Sequence, residues 1–274
     1  MRRPSTLLCL LALLAVNVAP AASAARKTDV DIPPQAVPGS RMPGKPIPAT
    51  LSEPDGRGPF PAMILLHGCG GPALSESAWV QRLNGWGYAV ISPSSFLPRG
   101  VFGGVCEPYR QSMVTARDRA GDVISAALWL RTRPEIDGAR IGVIGFSHGG
   151  SVAAWVTQRE YEQAYPHLLR ASIDYYGPCR QPATKGTVPL LALAGEDDDW
   201  GSSANACRLF GSSLRPDQAF ELHTYPGASH DFDNPSVPHS TKLGHPRGYD
   251  APAAEDSFVR VKAFLDRTMA PAAN

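Results

Sequence analysis

Residues 141–150 read IGVIGFSHGG, and this stretch decides how the rest of the chain is interpreted. Its first five residues are apolar or glycine, as expected for a strand that is buried on both faces. A pattern with helical spacing of apolar residues begins directly after Ser147. The stretch therefore predicts a strand, a sharp turn that exposes Ser147, and a helix.

Segments of the same character alternate along the rest of the chain. Short apolar runs predict strands over residues 47–51, 62–66, 88–91, 141–145, 171–175, 190–193 and 220–223. Amphipathic patterns predict helices over residues 78–86, 118–131, 151–159 and 204–214, and a last helix from Pro252. This alternation predicts an α/β fold, with a doubly wound, mainly parallel sheet flanked by helices.

The composition fits one globular domain, which we place over residues 46–274. The chain has 274 residues, of which 43% are hydrophobic and 19% are charged. Lys and Arg number 26 against 25 for Asp and Glu, and no basic stripe points to nucleic acid. Residues 25–45 are rich in Pro and Gly and predict an extended lead-in, and residues 233–250 predict a long loop.

The N-terminus has the features of an export signal. Arg2 and Arg3 form a positive region, residues 7–19 are apolar except for one asparagine, and Ala22-Ser23-Ala24 offers a cleavage site. The alternative is an uncleaved membrane anchor, but this apolar run is too short to span a bilayer comfortably. We therefore predict a signal peptide over residues 1–24 and a periplasmic or secreted protein without stable membrane insertion.

Export changes the interpretation of the cysteines. Cys9 lies within the apolar run, and an oxidising compartment favours disulfides among the other four. We predict the pairs Cys69–Cys106 and Cys179–Cys207, because each would join loops at the same end of the proposed sheet. Four buried free thiols are the alternative, and the absence of CxxC spacing argues against a zinc site.

Ser147 lies in a G-x-S-x-G motif, whose alternative interpretation is a glycine-rich turn with an incidental serine. A serine hydroxyl is a weak nucleophile unless a base accepts its proton. On this type of turn the partners follow in the order acid, then histidine. An acidic turn follows the strand 190–193, and His230 follows the next strand. We therefore predict a triad of Ser147, an aspartate of that turn and His230.

The acid has three consecutive candidates, Asp197, Asp198 and Asp199. The distance from the end of the preceding strand favours Asp198. The remaining histidines are weaker candidates for the base, because they lie before the acidic turn, within predicted elements or in the proline-containing loop; they are His67, His148, His167, His223, His239 and His245.

Negative charge that develops on a substrate oxygen needs backbone N–H donors beside the nucleophile. One donor is expected from His148, the residue after Ser147. The second is expected from the loop His67-Gly68-Cys69-Gly70-Gly71, with Cys69 as the donor. The alternative role of these glycines is a tight turn between strand and helix, and both roles are compatible.

Five segments together resemble the dienelactone hydrolase family of α/β-hydrolases. They are residues 66–71, 95–100, 141–150, 195–198 and 225–230, and the resemblance runs from Pro46 to Met269. It implies an α/β-hydrolase fold, and a family acid three residues after a glycine such as Gly195, which supports Asp198. The family's namesake enzymes use a cysteine nucleophile where this chain has Ser147, which favours a general esterase or lactonase.

The sequence therefore predicts an exported serine hydrolase that cleaves carboxylic ester or lactone bonds through an acyl-enzyme. It implies no metal or organic cofactor, and its expected partner is a small-molecule ester or lactone. A prolyl-oligopeptidase-type peptidase and a non-catalytic envelope binding protein are the alternatives. Aromatic residues that could line the substrate pocket or the core are Phe96, Phe102, Tyr175 and Trp200.

Overall fold

The computed structural model describes residues 25–73, 76–179, 185–201 and 203–271. Within these ranges the chain forms one sheet of eight strands and a separate two-stranded hairpin. The strands of the sheet are β1 (Arg26–Ile32), β2 (Ile47–Glu53), β3 (Phe60–Leu66), β4 (Ala89–Pro93), β5 (Ile136–Phe146), β6 (Ala171–Tyr175), β7 (Leu190–Gly195) and β8 (Phe220–Tyr225). The hairpin consists of β9 (Ser240–Lys242) and β10 (His245–Arg247).

The sheet is mainly parallel. Its order is β1-β2-β4-β3-β5-β6-β7-β8; β2 pairs antiparallel with both β1 and β4, and the strands from β4 to β8 pair parallel. The chain runs from β3 outward to β4 and then crosses back over β3 to β5. Ligands of such sheets bind at the carboxyl ends of the strands where the order reverses, so the loops after β3 and β5 are placed for a site.

Helices cover both faces of the sheet. They are α1 (Glu76–Gly85), α2 (Ala116–Leu130), α3 (His148–Trp155), α4 (Arg159–Ala164), α5 (Ser203–Ser212) and α6 (Ala251–Thr268), and short 3-10 helices lie at Leu97–Arg99 and Pro108–Met113. Side chains of β3 alternate between two apolar clusters. Ile64 packs in the cluster that includes α2 and α3, while Leu65 packs in the cluster that includes α1 and α6. The predicted doubly wound sheet flanked by helices is confirmed.

The helix predicted over residues 151–159 differs from the structure. Helix α3 begins earlier, at His148, and ends at Trp155, and a separate helix α4 begins at Arg159. Gln158 between them has extended backbone angles, with ψ near 147°, and this breaks the helical hydrogen-bond pattern.

Residues 25–45 are more than the expected lead-in. Their first part forms β1, which pairs antiparallel with β2 in register from Arg26–Glu53 to Ile32–Ile47. Ile32 and Val37 are buried in the apolar cluster beneath α2. The alternating polar residues of KTDVD conceal this strand in the sequence, because an edge strand with one solvated face carries little apolar signal.

The predicted long loop over residues 233–250 contains the β9–β10 hairpin. Both predicted disulfides, Cys69–Cys106 and Cys179–Cys207, are present. No described helix combines the length and the hydropathy that a membrane span requires. The predicted signal peptide, residues 1–24, lies outside the described residues.

Candidate active site

Ser147 occupies a strained turn between β5 and α3. Its backbone angles are φ 55° and ψ −115°, a conformation that side-chain-bearing residues rarely adopt. The Ser147 N–H donates to the carbonyl of Tyr175 at 2.8 Å, and the Ser147 carbonyl accepts from the Ser151 N–H at 3.0 Å. These bonds hold Ser147 at the carboxyl end of the sheet, as the G-x-S-x-G motif predicts.

The glycines on either side of Ser147 are required by close backbone contacts. A Cβ atom at Gly145 would lie 2.0 Å from the carbonyl oxygen of Gly149. A Cβ atom at Gly149 would lie 2.3 Å from the carbonyl oxygen of Leu66 at the end of β3. Only glycine therefore allows the turn to pack this tightly against the neighbouring strand end.

His230 and Asp198 form a buried pair in the loops after β8 and β7. Nδ1 of His230 lies 2.8 Å from Oδ2 of Asp198, and both side chains are buried. The other carboxylate oxygen accepts from the Trp200 N–H at 3.0 Å, and the Ser203 hydroxyl lies 3.5 Å from Oδ2. The imidazole therefore donates its Nδ1 proton to Asp198, which leaves Nε2 free to accept a proton.

The structure separates the three aspartates of the acidic turn. Asp199 is exposed, and its carboxylate pairs with Nδ1 of His245 at 2.9 Å. Asp197 is also exposed, and its backbone N–H donates to the carbonyl of Ala228. Asp198 is the member of the three whose side chain points inward to His230.

The β9–β10 hairpin and the residue after it bond to the loop that carries His230. The carbonyl of His230 accepts from the Gly248 N–H at 2.9 Å, and Asp231 forms an ion pair with Arg247 at 2.8 Å. The Trp200 ring lies between two imidazoles, with ring centroids 4.9 Å from His230 and 5.3 Å from His245. The hairpin thus holds the side of the site that carries His230.

The glycine-rich loop after β3 lies against Ser147. A Cβ atom at Gly68 would lie 3.8 Å from the Cβ of Ser147. The Cys69 carbonyl accepts from the Val105 N–H at 2.7 Å, and its side chain forms the disulfide with Cys106. Among the described backbone groups, none accepts a hydrogen bond from the N–H of Cys69 or of His148.

A cavity of about 240 Å³ opens between these loops. Ser147, His230, Cys69 and Trp200 line it, together with Tyr176, whose ring centroid lies 4.7 Å from that of His230. The other aromatic candidates do not line it in the structure: Phe96 and Tyr175 are buried in the core, and Phe102 is exposed.

Two carboxyl groups in the cavity wall are absent from the sequence prediction. Burial raises the pKa of Glu76 to about 7. Burial likewise raises the pKa of Asp233 to about 6, although Asp233 accepts hydrogen bonds from Trp79 (2.7 Å) and Tyr176 (2.8 Å). A single acid outside an apolar run is usually solvated, and only the tertiary packing reveals that Asp233 is buried and Glu76 partly buried.

One group of potential metal ligands occurs in the described part of the chain, namely Asp174, Cys179 and Cys207. Both sulfurs are consumed in the Cys179–Cys207 disulfide, so the group offers no thiolate ligand. Asp174 is enclosed there, and its carboxylate accepts from the Gly177 N–H at 2.7 Å. Burial raises the pKa of this carboxyl well above its usual range.

The fold and the site have counterparts among known proteins. The chain is 21% identical to a Klebsiella pneumoniae protein whose crystal structure is assigned as a dienelactone hydrolase, with a TM-score of 0.69 over 89% of this chain and 100% of that one. It is 33% identical over 132 residues to a Saccharolobus solfataricus protein assigned as a carboxymethylenebutenolidase, a match over 47% of this chain and 44% of that protein. It is 26% identical to mouse acyl-coenzyme A thioesterase 5, over 80% of this chain and 62% of the relative.

These two curated relatives are thus matched over less than two thirds of their length, and the structural likeness carries the α/β-hydrolase fold. The model of the dienelactone hydrolase family matches residues 47–269, which span β2 to the C-cap of α6. The resemblance seen in the sequence motifs is therefore confirmed, and the chain belongs to the dienelactone hydrolase family.

Proposed function

We propose that this chain is an exported serine hydrolase that cleaves carboxylic ester or lactone bonds, with Ser147, His230 and Asp198 as its triad. The observation that carries the proposal is one cavity lined by a serine on a strained turn and by an imidazole whose Nδ1 is bonded to a buried carboxylate. Nucleophile, base and orienting acid are the three parts that acyl transfer by serine requires.

In the proposed acylation, Oγ of Ser147 attacks the ester carbonyl carbon while Nε2 of His230 takes the serine proton. Asp198 keeps the imidazole in the tautomer with its free nitrogen toward Ser147, and it stabilises the imidazolium that forms. The tetrahedral intermediate then collapses, the bond to the alcohol oxygen breaks, and His230 returns the proton to that oxygen. The product is an acyl-serine and a free alcohol, or the opened end of a lactone.

The proposed deacylation repeats these steps with water. His230 takes a proton from the water as it attacks the acyl-serine, and the proton then passes to Oγ of Ser147 as the acid leaves. In both halves the negative charge on the former carbonyl oxygen is stabilised by the N–H groups of Cys69 and His148. Neither N–H donates to a described backbone carbonyl, so both are available to the substrate.

The cavity favours small esters or lactones over long-chain ones. Its volume is about 240 Å³, and its wall combines aromatic rings with charged groups such as Arg82 and Lys242. A ligand site of this size encloses a small acyl group or a single ring.

Export is supported by the signal-like N-terminus and by two disulfides in the chain. Expression of the whole chain with a C-terminal tag, followed by fractionation and N-terminal sequencing, tests this part. A protein that stays in the cytoplasm with Met1 intact would contradict export and leave the chemistry untouched.

The chemistry is tested by hydrolysis of p-nitrophenyl esters from acetate to palmitate and of small lactones. Wild-type protein, Ser147→Ala and the matched control Ser151→Ala, four residues further along α3, are compared. We expect short esters to be cleaved, Ser147→Ala to lose at least about 10³-fold in kcat, and Ser151→Ala to remain close to wild type. Equal turnover by wild type and Ser147→Ala would contradict the proposal.

A fluorophosphonate probe separates the alternative functions. Labelling of wild type that is lost in Ser147→Ala, without turnover of any ester, would favour a peptidase. No labelling at all would favour a binding protein that keeps the fold without turnover.

A further inference from the structure

Arg119 is a cation enclosed in the protein interior behind the proposed oxyanion site. It lies in the first turns of α2, and its side chain has no exposed surface. Burial lowers the pKa of its guanidinium to about 10, so the group is charged at neutral pH. Its place in the sequence, within ARDRAGD, gives no sign of this enclosure.

The guanidinium bridges two separate segments of the site. Nη1 donates to Nδ1 of His148 at 2.7 Å, and Nη2 donates to the carbonyl oxygen of His67 at 2.8 Å. His148 provides one of the two N–H groups assigned to the oxyanion. His67 stands two residues before Cys69, which provides the other. One side chain thus links the side chain of His148 to the backbone two residues before Cys69.

This arrangement is costly, which argues for a role beyond packing. No carboxylate forms a direct ion pair with Arg119 in the described ranges, although the charges of Asp122 and Glu76 raise its pKa, and its Nε has no hydrogen-bond partner there. The Phe96 ring, with its centroid 5.4 Å from the guanidinium carbon, supplies an aromatic contact. A buried cation without a direct ion pair is disfavoured in a protein interior, even with carboxylates nearby, and such departures from stability concentrate at functional sites.

The same contact fixes the state of His148. A guanidinium can only donate hydrogen bonds, so Nδ1 of His148 must be unprotonated. Nε2 then carries the proton and bonds to the backbone of Val114. The neutral imidazole is therefore hydrogen-bonded on both sides, to Arg119 and to Val114, and it is not a second base for Ser147.

We propose that Arg119 is a positioning residue that holds the N–H groups of Cys69 and His148 at the spacing that the oxyanion of ester hydrolysis requires. This rests on the proposed function, because only the reaction makes that spacing matter. Oxyanion contacts are stronger in the transition state than with bound substrate. Loss of Arg119 is therefore expected to lower kcat and leave KM nearly unchanged.

The test compares Arg119→Met, which removes both bonds, with Arg119→Lys, which keeps the charge and can reach one acceptor. We expect kcat for p-nitrophenyl acetate to fall about 100-fold in Arg119→Met, at the lower end of the range found when an oxyanion donor is lost. In Arg119→Lys we expect a smaller fall, of about 10-fold. KM is expected to stay within about threefold. Arg131→Met is the matched control, because Arg131 at the other end of α2 also donates to two carbonyls, those of Gly138 and His167.

Wild-type kcat in a folded Arg119→Met variant, or a loss confined to KM, overturns the proposal. If Arg119→Met does not fold, the proposal is tested by comparing kcat of His148→Leu with that of His148→Gln. Both keep the backbone N–H, but only glutamine keeps an acceptor for Arg119. A kcat at least about fivefold lower for leucine than for glutamine supports the proposal, and equal values overturn it.

Failure of the proposed function is recognised separately. It is indicated when wild type shows neither Ser147-dependent turnover nor fluorophosphonate labelling. The positioning role is then judged by amide hydrogen exchange in Arg119→Met against Arg131→Met. Faster exchange confined to residues 67–71 and 147–150 supports it, and unchanged exchange there overturns it.

Discussion

Two imidazoles belong to the site, and the charges of their partners are opposite. His230 lines the cavity and bonds through Nδ1 to the carboxylate of Asp198. His148 follows Ser147 directly in the chain and bonds through Nδ1 to the guanidinium of Arg119. His230 is buried and His148 is partly buried, so both rings are largely withdrawn from solvent and their partners distinguish them.

The partner decides what each ring can do. A carboxylate accepts the Nδ1 proton and stabilises a positive imidazolium, so His230 can take up a proton at Nε2. A guanidinium occupies the Nδ1 lone pair and repels a positive ring. Burial, followed by the charge of Arg119, lowers the pKa of His148 to about 3. Proximity to a serine in the sequence therefore does not identify a base, whereas the group bonded to Nδ1 of the imidazole does.

The largest effect is expected from exchanging the two rings for glutamine. His230→Gln removes the proposed base and is expected to lose at least about 10³-fold in kcat. His148→Gln keeps both an acceptor for Arg119 and the backbone N–H, and it is expected to stay within about fivefold of wild type. Steady-state hydrolysis of p-nitrophenyl acetate measures both, and a larger loss for His148→Gln than for His230→Gln would reverse the assignment.

The second effect concerns the acid. Asp198→Asn keeps the shape of the side chain but no longer stabilises the imidazolium, and we expect kcat to fall at least about 100-fold. Asp199→Asn alters an exposed pair with His245 and is expected to change kcat less than about twofold. The same ester assay applies, and a greater loss for Asp199→Asn would move the acid to that residue.

The third effect concerns the glycine-rich loop after β3, whose Cys69 N–H is proposed to act together with that of His148. The Cys69–Cys106 bridge and the Val105–Cys69 hydrogen bond attach the glycine-rich loop to the segment that follows β4. We expect the double variant Cys69→Ala/Cys106→Ala to lose about 10-fold in kcat with little change in KM, because the N–H of residue 69 is less well held.

The second bridge provides the control. Cys179→Ala/Cys207→Ala removes a cross-link of similar loop length, since its cysteines are 28 residues apart and those of the first bridge are 37 apart. Each double variant is expected to lower the free energy of unfolding by about 2–4 kcal/mol. The kcat of Cys179→Ala/Cys207→Ala is expected to stay near that of wild type. Equal losses of kcat in the two double variants would show that the first bridge acts through stability alone.

Much of this site could be predicted from the sequence, because its parts stand at strand ends. Ser147 follows a buried apolar run, and His230 follows β8 by a short turn, so periodicity and chain order locate both. The spacing from the end of β7 favours Asp198, and in the structure it is Asp198, and not Asp197 or Asp199, that lies beside His230.

Residues that act through tertiary contacts were beyond such reasoning. Arg119 lies on an amphipathic helix where an arginine is expected to face solvent, and only tertiary contacts, with His67, His148 and Phe96, reveal its burial. Asp233 and Glu76 are similar, since nothing local marks the first as buried or the second as partly buried in the cavity wall. Strand β1 has no clear signal in the sequence for a related reason: its partner β2 lies across a long connection, and its own residues are mostly polar and exposed.

The smallest effect is a dependence of stability on pH that separates His148 from the exposed histidines. The pKa of His148 is about 3 in the folded protein, against an ordinary value near 6.5 in the unfolded chain. The unfolded chain therefore binds this proton between pH 6.5 and 3 while the folded protein does not, so folding is weakened as the pH falls through that window. At pH 4.5 the loss in the free energy of unfolding amounts to roughly 2–3 kcal/mol.

His148→Gln has no imidazole to protonate at this position. Urea unfolding at pH 7 and pH 4.5 is therefore expected to show a smaller decrease in the free energy of unfolding for the variant than for wild type. His239→Gln, which removes an exposed imidazole, is the control and is expected to behave as wild type. An equal drop for all three proteins would mean that His148 is protonated in the folded state, and its bond from Arg119 would then have to break.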